Sequence, residues 1–553
     1  MSFLKSKLDT VKGFFALLDK ARNTPLVGEQ FYHEAIRQGH VQQDLALFIA
    51  PYFQPFAGSP FYLMKDLARR GTHRIAYVTT DPERDGRIMN RYGIDAVALE
   101  PDTRAYYEML ATAGYIVDAI GTPPFFVPRK DQILLQTWHS TPLKAMGKRA
   151  PKAWMPMGWV AHLFLKSTVL WYQNRYAYEL MQRDYCLENT WVGEAIISGS
   201  PRNEIFFDRK RREELRTELG WQGKRVIGYL PTWRGSTNDM GAQVGQEKFL
   251  SILTYLDKNM PDDMIIACKM HAMSGITVDW DTYQHIIPFS QDIELYDSLN
   301  ACDVLLTDYS SVMFDYVNTK RPIIIFSYDY DQYSVDRATY FDISELPFPT
   351  CSDEIELVNI LKSFDTLSLD EGAIATFRET FNPYDNADAS AELNDAVLGV
   401  SQVQGKHTIA HGEVIEQNPC IDLYVLPNFS TDQGTLLHQL IEEEPHLDQV
   451  LYCIGLDDDP GLIQTFFDEH MIVDGEEVSY YFPLISNTEM PQDEFILSLG
   501  ERLPFLSSFG DKVRTYQTRN HLPNLNVRKV VVYDQTMADT LGIQYLGAPI
   551  EYR

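Results

Sequence analysis

The sequence predicts an α/β protein with two parallel-sheet domains in tandem, followed by a third region of different character. Short apolar runs alternate with segments of helical period from about residue 40 to residue 398, a pattern typical of strands and helices in a parallel sheet. The pattern restarts after residue 215, and acidic residues accumulate after residue 400. At 553 residues, the chain is long enough for about three to four domains.

Composition and charge argue against several classes of protein. The net charge is −29, which argues against a nucleic-acid partner. The six cysteines are scattered without a CxxC pair, as expected for buried thiols in a reducing cytosol and not for a disulfide framework or a zinc site. No apolar run reaches the roughly 18 residues of a membrane span, and no signal peptide is recognisable. We therefore expect a cytoplasmic protein.

The first domain is predicted from strands at 45–50, 75–78, 96–99, 115–117 and 133–137, with a helix over 59–67. Before it, residues 3–22 predict an amphipathic helix that packs on the neighbouring domain or lies on a membrane surface. The last strand runs directly into His139. Ligands of α/β sheets bind at the carboxyl ends of the strands, where a histidine can act as a general base. The alternative is a hydrogen-bonded structural histidine.

A basic segment follows over residues 141–183. Glu179 is its only glutamate, and tryptophans are interleaved with the cations. In a strongly acidic chain, we interpret the segment as a surface for anionic lipid headgroups or a phosphate-rich substrate. A solvated basic face that packs its tryptophans on the fold is the alternative. The residues concerned are Lys144, Lys148, Arg149, Lys152, Trp154, Trp159, Lys166, Trp171, Arg175 and Arg183.

The second domain is predicted from strands at 225–230, 264–270, 286–288, 304–306 and 321–326. Its central stretch, residues 305–315, reads LLTDYSSVMFD and passes from a strand into a helix. Backbone N–H groups and serine hydroxyls at such a junction suit a phosphate or pyrophosphate, although Asp and Ser are also ordinary helix caps. The polar residues at these strand ends are Thr232, Trp233, Arg234, Lys269, His271, Thr307, Asp308, Ser310 and Ser311.

The last part of the chain predicts a separate acidic α/β or α+β domain. A helix over 389–398 closes the second domain, and residues 400–412 are interpreted as a linker. Apolar strands follow at 421–426, 450–454, 478–482 and 529–533. From residue 401 to the end there are 24 acidic and 8 basic residues. No catalytic constellation is evident in this region.

Several motifs together resemble the CDP-glycerol glycerophosphotransferase family, which includes the teichoic acid polymerases and primases of bacterial cell walls. The matching segments are TWHSTPLK at 137–144, GSPRN at 199–203, YLPTWR at 229–234, KMH at 269–271, TDYSSVMFD at 307–315, RP at 321–322 and YDYDQY at 328–333. Their order over residues 40–395 is far more specific than any one motif. The resemblance implies a GT-B fold of two Rossmann-like domains. It also implies transfer of a polyol phosphate from a CDP-activated donor to a hydroxyl, with release of CMP.

The resemblance also implies roles for domains and residues. We predict an amphipathic helix over 1–23, an acceptor-side domain over 24–215, a CDP-donor domain over 216–399 and an acidic accessory domain over 413–553. His139 is the expected base on the acceptor hydroxyl, and His271 with Ser310 and Ser311 is expected to hold the donor pyrophosphate. The further substrate-binding residues are Thr232, Trp233, Arg234, Lys269, Thr307 and Arg202, with Asp315 either structural or a ligand of a polyol hydroxyl.

Three departures from the family pattern concern the identity of donor and acceptor. Ser140 replaces the usual glycine after the histidine, Ala272 replaces a proline, and the segment near Ser59 lacks an Asp-Asn-Pro motif. CDP-ribitol as donor, a GT-B glycosyltransferase using a nucleotide sugar, and a non-catalytic assembly protein remain alternatives. The expected partners are CDP-glycerol, a lipid-linked, polymeric or capsular acceptor, and the inner face of the plasma membrane. No metal site is predicted, and Mg²⁺ bound through the donor pyrophosphate is left open.

Overall fold

The structure is a computed structural model. It describes residues 26–51, 57–123, 125–150, 160–161, 163–185, 187–188, 190–232, 240–269, 278–330, 338–426, 450–454, 472–473, 476–477, 525–533 and 548–553. The predicted helix at 3–22 and the predicted strand at 478–482 lie outside these residues.

The first domain is a doubly wound sheet with helices on both faces. The helices of this domain are α1 (Leu26–Gln38), α2 (Ser59–Arg70), α3 (Pro82–Arg91), α4 (Arg104–Thr112) and α5 (Arg175–Asp184). The strands are β1 (Gln42–Ile49), β2 (Arg74–Val78), β3 (Val97–Leu99), β4 (Ala113–Asp118), β5 (Ile133–Gln136), β6 (Val169–Tyr172) and β7 (Gly193–Ser198).

These strands run parallel in the order β7-β6-β5-β4-β1-β2-β3. The order reverses between β4 and β1, which is the switch point of a Rossmann-like sheet and the usual place for a ligand crevice. Strand β4 is buried along its whole length and β1 is buried from Leu45 to Ile49, as expected for a sheet with helices on both faces.

The second domain repeats this organisation. Its strands are β8 (Arg225–Leu230), β9 (Met264–Cys268), β10 (Ile286–Pro288), β11 (Val304–Thr307), β12 (Ile323–Phe326) and β13 (Thr350–Cys351), in the parallel order β10-β9-β8-β11-β12-β13. Its helices are α6 (Arg209–Glu218), α7 (Met240–Asn259), α8 (Leu295–Asn300), α9 (Val312–Tyr316), α10 (Glu354–Lys362), α11 (Glu371–Phe381) and α12 (Ala389–Val397). Two Rossmann-like sheets in tandem confirm the predicted α/β class.

The accessory region joins the first domain through a strand. Within the predicted linker, β14 (Gln402–Val403) and β15 (Lys406–His407) form a hairpin, and β16 (Gly412–Gln417) then pairs antiparallel with β7. Strands β17 (Ile421–Leu426), β18 (Val450–Ile454), β21 (Val527–Val532) and β22 (Ile550–Tyr552) form a parallel sheet in the order β18-β17-β21-β22. The short strands β19 (Ile472–Val473) and β20 (Glu476–Glu477) pair with each other. Leu423 and Val530 belong to the same buried cluster as Trp191 of the first domain.

Two segments connect the Rossmann-like domains. The 3-10 helix Pro201–Phe207, here called the domain linker, leads from β7 to α6. Helix α12 returns to the first domain, where the Asn394 side chain donates to the Leu63 carbonyl at 3.1 Å and to Asp66 at 2.9 Å. A cavity of about 590 Å³ lies between these two segments and α2, and Glu204 and Lys65 are among the residues that line it.

Glu204 makes the stability of this junction dependent on pH. Its carboxylate accepts the Ser390 N–H at 3.3 Å, and burial raises the pKa of Glu204 to about 7. Because this pKa exceeds the ordinary glutamate value of 4.5, the folded state binds the proton more tightly than the unfolded state does. The free energy of unfolding therefore falls as the pH rises from 4.5 through about 7.

We expect Glu204→Gln to raise the free energy of unfolding by about 1–3 kcal/mol at pH 8 and to change it little near pH 4. The amide oxygen still accepts the Ser390 N–H, and no charge is buried at high pH. Urea unfolding at the two pH values measures the difference, with exposed Glu100→Gln as control. An equal effect of Glu204→Gln at both pH values would contradict this account.

Candidate active site

His139 lies on a tight loop directly after β5, at the carboxyl edge of the first sheet. The Trp138 N–H donates to Gln136 Oε1 at 2.9 Å, and Trp138 adopts a left-handed φ of 46°. The indole packs edge-on against Phe164 with ring centroids 5.0 Å apart, and its centroid lies 4.5 Å from that of the His139 ring. His139 is partly exposed, and its ring packs against the Trp138 indole.

Ser140 takes a backbone conformation that favours glycine. This serine stands where the family pattern has glycine, and its φ is 86°. This conformation costs a non-glycine residue about 1–2 kcal/mol. One guanidinium nitrogen, Arg202 Nη2, donates to Ser140 Oγ at 2.5 Å and to the His139 carbonyl at 3.2 Å.

Arg202 is held by a buried ion pair with Asp315. Arg202 Nη2 lies 2.6 Å from Asp315 Oδ2, and the carboxylate also accepts from the Tyr296 hydroxyl at 2.7 Å and from Asn203 Nδ2 at 3.1 Å. Asp315 has no exposed surface, so in this structure it is an anchor for Arg202. Burial opposes the charge on Arg202, but Asp315 and Tyr296 outweigh it and raise the pKa of the guanidinium.

A second carboxylate, the partly buried Asp385, joins the domain linker to the segment before α12. It accepts from the Ser200 N–H at 2.6 Å and from Asn203 Nδ2 and Asn318 Nδ2, both at 2.7 Å. Burial raises its pKa to about 6. Asp385 lies in the Asn-Pro-Tyr-Asp motif at 382–385, which sequence reasoning treated only as a change in character of the chain.

On the second sheet, Thr307 and Asp308 tie two neighbouring strand ends together. The Thr307 hydroxyl is buried and donates to the Leu230 carbonyl at 2.7 Å. Asp308 accepts the Thr232 N–H through both oxygens, at 2.8 and 3.0 Å. The Thr-Asp pair therefore sets the spacing of the loops after β8 and β11. Thr232 itself is partly exposed at this edge.

Ser310 and Ser311 follow on the same loop, immediately before α9. Both are partly exposed, and Ser311 makes no side-chain cap to its helix. Ser310 Oγ accepts only a long 3.5 Å contact from the Val312 N–H. Their hydroxyls are thus placed at the carboxyl edge of the second sheet, as the sequence predicted for donors to a phosphate.

Lys269 lies directly after β9 at this edge. Burial lowers the pKa of Lys269, and the Arg84 charge lowers it further against the opposing effect of Glu294. Glu294 is buried and accepts from the Tyr62 hydroxyl at 2.8 Å and from the Gly58 N–H at 3.1 Å, across the two domains.

Three predicted site residues, Trp233, Arg234 and His271, lie outside the described residues. The others fall into two groups. His139 and Arg202 meet at the edge of the first sheet, while Thr232, Lys269, Thr307, Ser310 and Ser311 share the edge of the second. The contact that joins the groups, from Arg202 to Asp315, spans 113 residues of sequence. No local pattern could have revealed it.

The basic segment differs from its prediction in two places. Lys166 is buried and donates to the Pro123 carbonyl at 2.9 Å, and Trp171 lies in β6 with its indole N–H 3.0 Å from Ser198 Oγ. Both were assigned to a surface for anionic partners, and this assignment is wrong because both face inward. Trp154, Trp159 and Lys152 lie outside the described residues.

The described residues contain no group of three or more His, Cys, Asp or Glu side chains arranged to hold a metal ion. No helix among them is both long enough and apolar enough to cross a bilayer.

Comparisons with known proteins agree with this geometry. The chain is 31% identical over 323 residues to the teichoic acid poly(glycerol phosphate) polymerase of Staphylococcus epidermidis, covering 55% of this chain but only 44% of that protein. It is 32% identical over 181 residues to the teichoic acid poly(ribitol-phosphate) polymerase of Bacillus spizizenii, covering 31% of this chain and 28% of that protein.

A solved structure shows the same fold. The wall teichoic acid polymerase TagF superposes with a TM-score of 0.57 at 24% identity, covering 70% of this chain and 98% of that chain. This likeness and the two Rossmann-like sheets establish the GT-B fold that the resemblance implied. The profile of the CDP-glycerol:poly(glycerophosphate) glycerophosphotransferase family matches residues 31–399. That span includes both sheets and every predicted site residue, so the chain belongs to this family.

Proposed function

We propose that the chain transfers glycerol phosphate from CDP-glycerol to a hydroxyl of a lipid-linked or polymeric glycerol phosphate acceptor, releasing CMP. Family membership supports the chemistry. The observation that carries the proposal is the junction of two sheet edges, one bearing His139 and the other bearing Ser310 and Ser311, through the Arg202–Asp315 ion pair. A base and a phosphate site on facing edges are what phosphoryl transfer requires.

In the proposed reaction, His139 takes the proton of the acceptor hydroxyl as its oxygen attacks the phosphorus that carries glycerol. A phosphodiester bond forms, the pyrophosphate bond breaks, and CMP leaves with the bridging oxygen. Ser310, Ser311 and Lys269 offer hydroxyl and ammonium donors to the phosphate charge. We assign Thr232, Trp233, Arg234 and His271 to the donor side on the resemblance alone.

The acceptor and the place of action are further parts of the proposal. We propose a lipid-linked acceptor reached at the inner face of the plasma membrane. The names of the related polymerases support a polymeric polyol phosphate product, while the lipid anchor and the membrane face rest on the family resemblance alone. Lys166 and Trp171 give no support to membrane contact, because both are buried.

A second candidate donor is CDP-ribitol. The identity of 32% with a poly(ribitol-phosphate) polymerase matches that with the glycerol phosphate enzyme, and no described residue separates the two polyols. A TagF structure was obtained after a soak with CDPG, which favours CDP-glycerol as the first donor to test.

We expect the purified full chain to release CMP from CDP-glycerol only when a glycerol phosphate primer on a lipid is supplied. Parallel reactions with CDP-ribitol and a UDP-sugar, followed by nucleotide chromatography, identify the donor. CMP from CDP-ribitol alone would keep the mechanism and replace the proposed product. No nucleotide release with any donor, with or without primer, would contradict an enzymatic role.

We expect His139→Ala to lower the rate of CMP release by about 10²-fold or more, because a general base contributes on that scale. Exposed His40→Ala, on the loop before β1, is the matched control and should leave the rate unchanged. Circular dichroism verifies that both variants are folded. A His139→Ala rate within twofold of the parent would remove this residue from the mechanism.

A further inference from the structure

The loop that carries His139 is held by Arg202 of the domain linker, which is itself paired with Asp315 of the second domain. Arg202 donates to the His139 carbonyl and to Ser140 Oγ, and the same nitrogen is paired with Asp315. Asp315 is the fourth residue of α9, the helix that begins directly after Ser310 and Ser311. A chain of three contacts thus runs from the proposed donor-phosphate loop to the proposed base.

Ser140 gives this chain a contact that the family pattern lacks. A glycine at this position would adopt the φ of 86° without strain, but it would have no hydroxyl to accept from Arg202. The His139 carbonyl, at the longer distance of 3.2 Å, would then be the loop's remaining acceptor. The 2.5 Å bond to Ser140 is charge-assisted, which makes it one of the stronger kinds of hydrogen bond.

The surroundings keep Arg202 in one place. Its guanidinium lies over the Tyr296 ring with its central carbon 4.9 Å from the centroid, and the Tyr296 hydroxyl donates to the same Asp315 carboxylate. Arg202 Nε is buried without a hydrogen-bond partner in the described structure. The side chain is therefore fixed by its terminal nitrogen and its stacked ring.

We propose that Asp315, Arg202 and Ser140 form a relay that positions the His139 loop according to the position of α9. The proposal rests on the proposed function and deepens it. Arg202 and Ser140 are positioning residues that act through His139, and Asp315 is their anchor. Phosphate bound at Ser310 and Ser311 and the orientation of the base are thereby coupled through one buried ion pair.

The first test separates the hydroxyl from the backbone strain. Ser140→Gly relieves the strain and removes the hydroxyl, so we expect kcat to fall by about 10- to 100-fold. KM for CDP-glycerol should stay within twofold and the unfolding temperature should not fall. Ser140→Ala keeps the strain without the bond, so both kcat and the unfolding temperature should fall.

Gln404→Gly is the matched control, because Gln404 is an exposed non-glycine residue with φ of 56° in the β14–β15 turn. It should leave kcat unchanged. A kcat for Ser140→Gly within twofold of the parent would overturn the relay, and so would a loss confined to KM.

The second test asks whether Ser140 acts through Arg202. Arg202→Lys places its terminal nitrogen one bond short of the position of Arg202 Nη2, which makes all three contacts, so we expect kcat to fall at least as far as in Ser140→Gly. In the double variant, adding Ser140→Gly to Arg202→Lys should lower kcat by less than about twofold further. The reason is that each change removes the same contact, the hydrogen bond from Arg202 to Ser140. Fully multiplicative losses would show that the two residues act independently and would overturn the relay.

A third readout does not depend on turnover. In protein labelled at histidine ring nitrogens, the His139 signal is assigned by its loss in His139→Gln. Ser140→Gly and Arg202→Lys should each shift that signal, while Gln404→Gly should not. If the parent protein releases no CMP from any donor, the proposed function fails and this shift alone decides the relay. An unchanged His139 signal in both relay variants would overturn it.

Discussion

The buried ion pair between Arg202 and Asp315 connects the domain linker, the helix after the Ser310–Ser311 loop and the loop that carries His139. Removing one member of such a pair typically costs about 3–5 kcal/mol, because the other charge is left uncompensated. The pair is tolerable here because Tyr296 and Asn203 complete the hydrogen bonding of the carboxylate. The position of His139 therefore depends on the relative placement of two separately folded sheets, and not on its own strand alone.

Other carboxylates repeat this arrangement along the domain interface. Asp385 accepts three donors from the linker and the second domain, and Glu294 accepts from Tyr62 and Gly58 of the first domain. Burial raises the pKa of both carboxyls. The ionised form of each carboxyl is therefore stabilised mainly by the hydrogen bonds that it accepts. A rotation between the domains must either pivot about these contacts or break them. Reorientation of the cleft is consequently most restricted beside the linker.

Sequence patterns predicted what depends on local order and missed what depends on distant partners. Strands 225–230, 286–288 and 421–426 were predicted to the residue, because short apolar runs end at turn residues. Strand β6 was missed because Lys166 and Trp171 suggested a basic surface, whereas a buried lysine can donate to a carbonyl. Strand β16 was interpreted as the start of another domain, since its partner residues in β7 are 214 to 224 positions away in the sequence. His139 and Ser310 were found from strand ends, but the bond from Arg202 to Asp315 leaves no local signature.

Three arginines of the basic segment form ion pairs with carboxylates of the same chain. Arg149 and Arg183 both pair with the buried Asp184, at 3.4 and 2.6 Å. Arg175 pairs with Glu413 on β16, which the Tyr384 hydroxyl also contacts at 2.9 Å. The sheet that follows β16 packs into the apolar cluster around Trp191, so the acidic region is fixed beside the basic one. Charge complementarity inside the molecule thus accounts for cations that a sequence alone assigns to an external anion, and it ties the accessory sheet to the domain that carries His139.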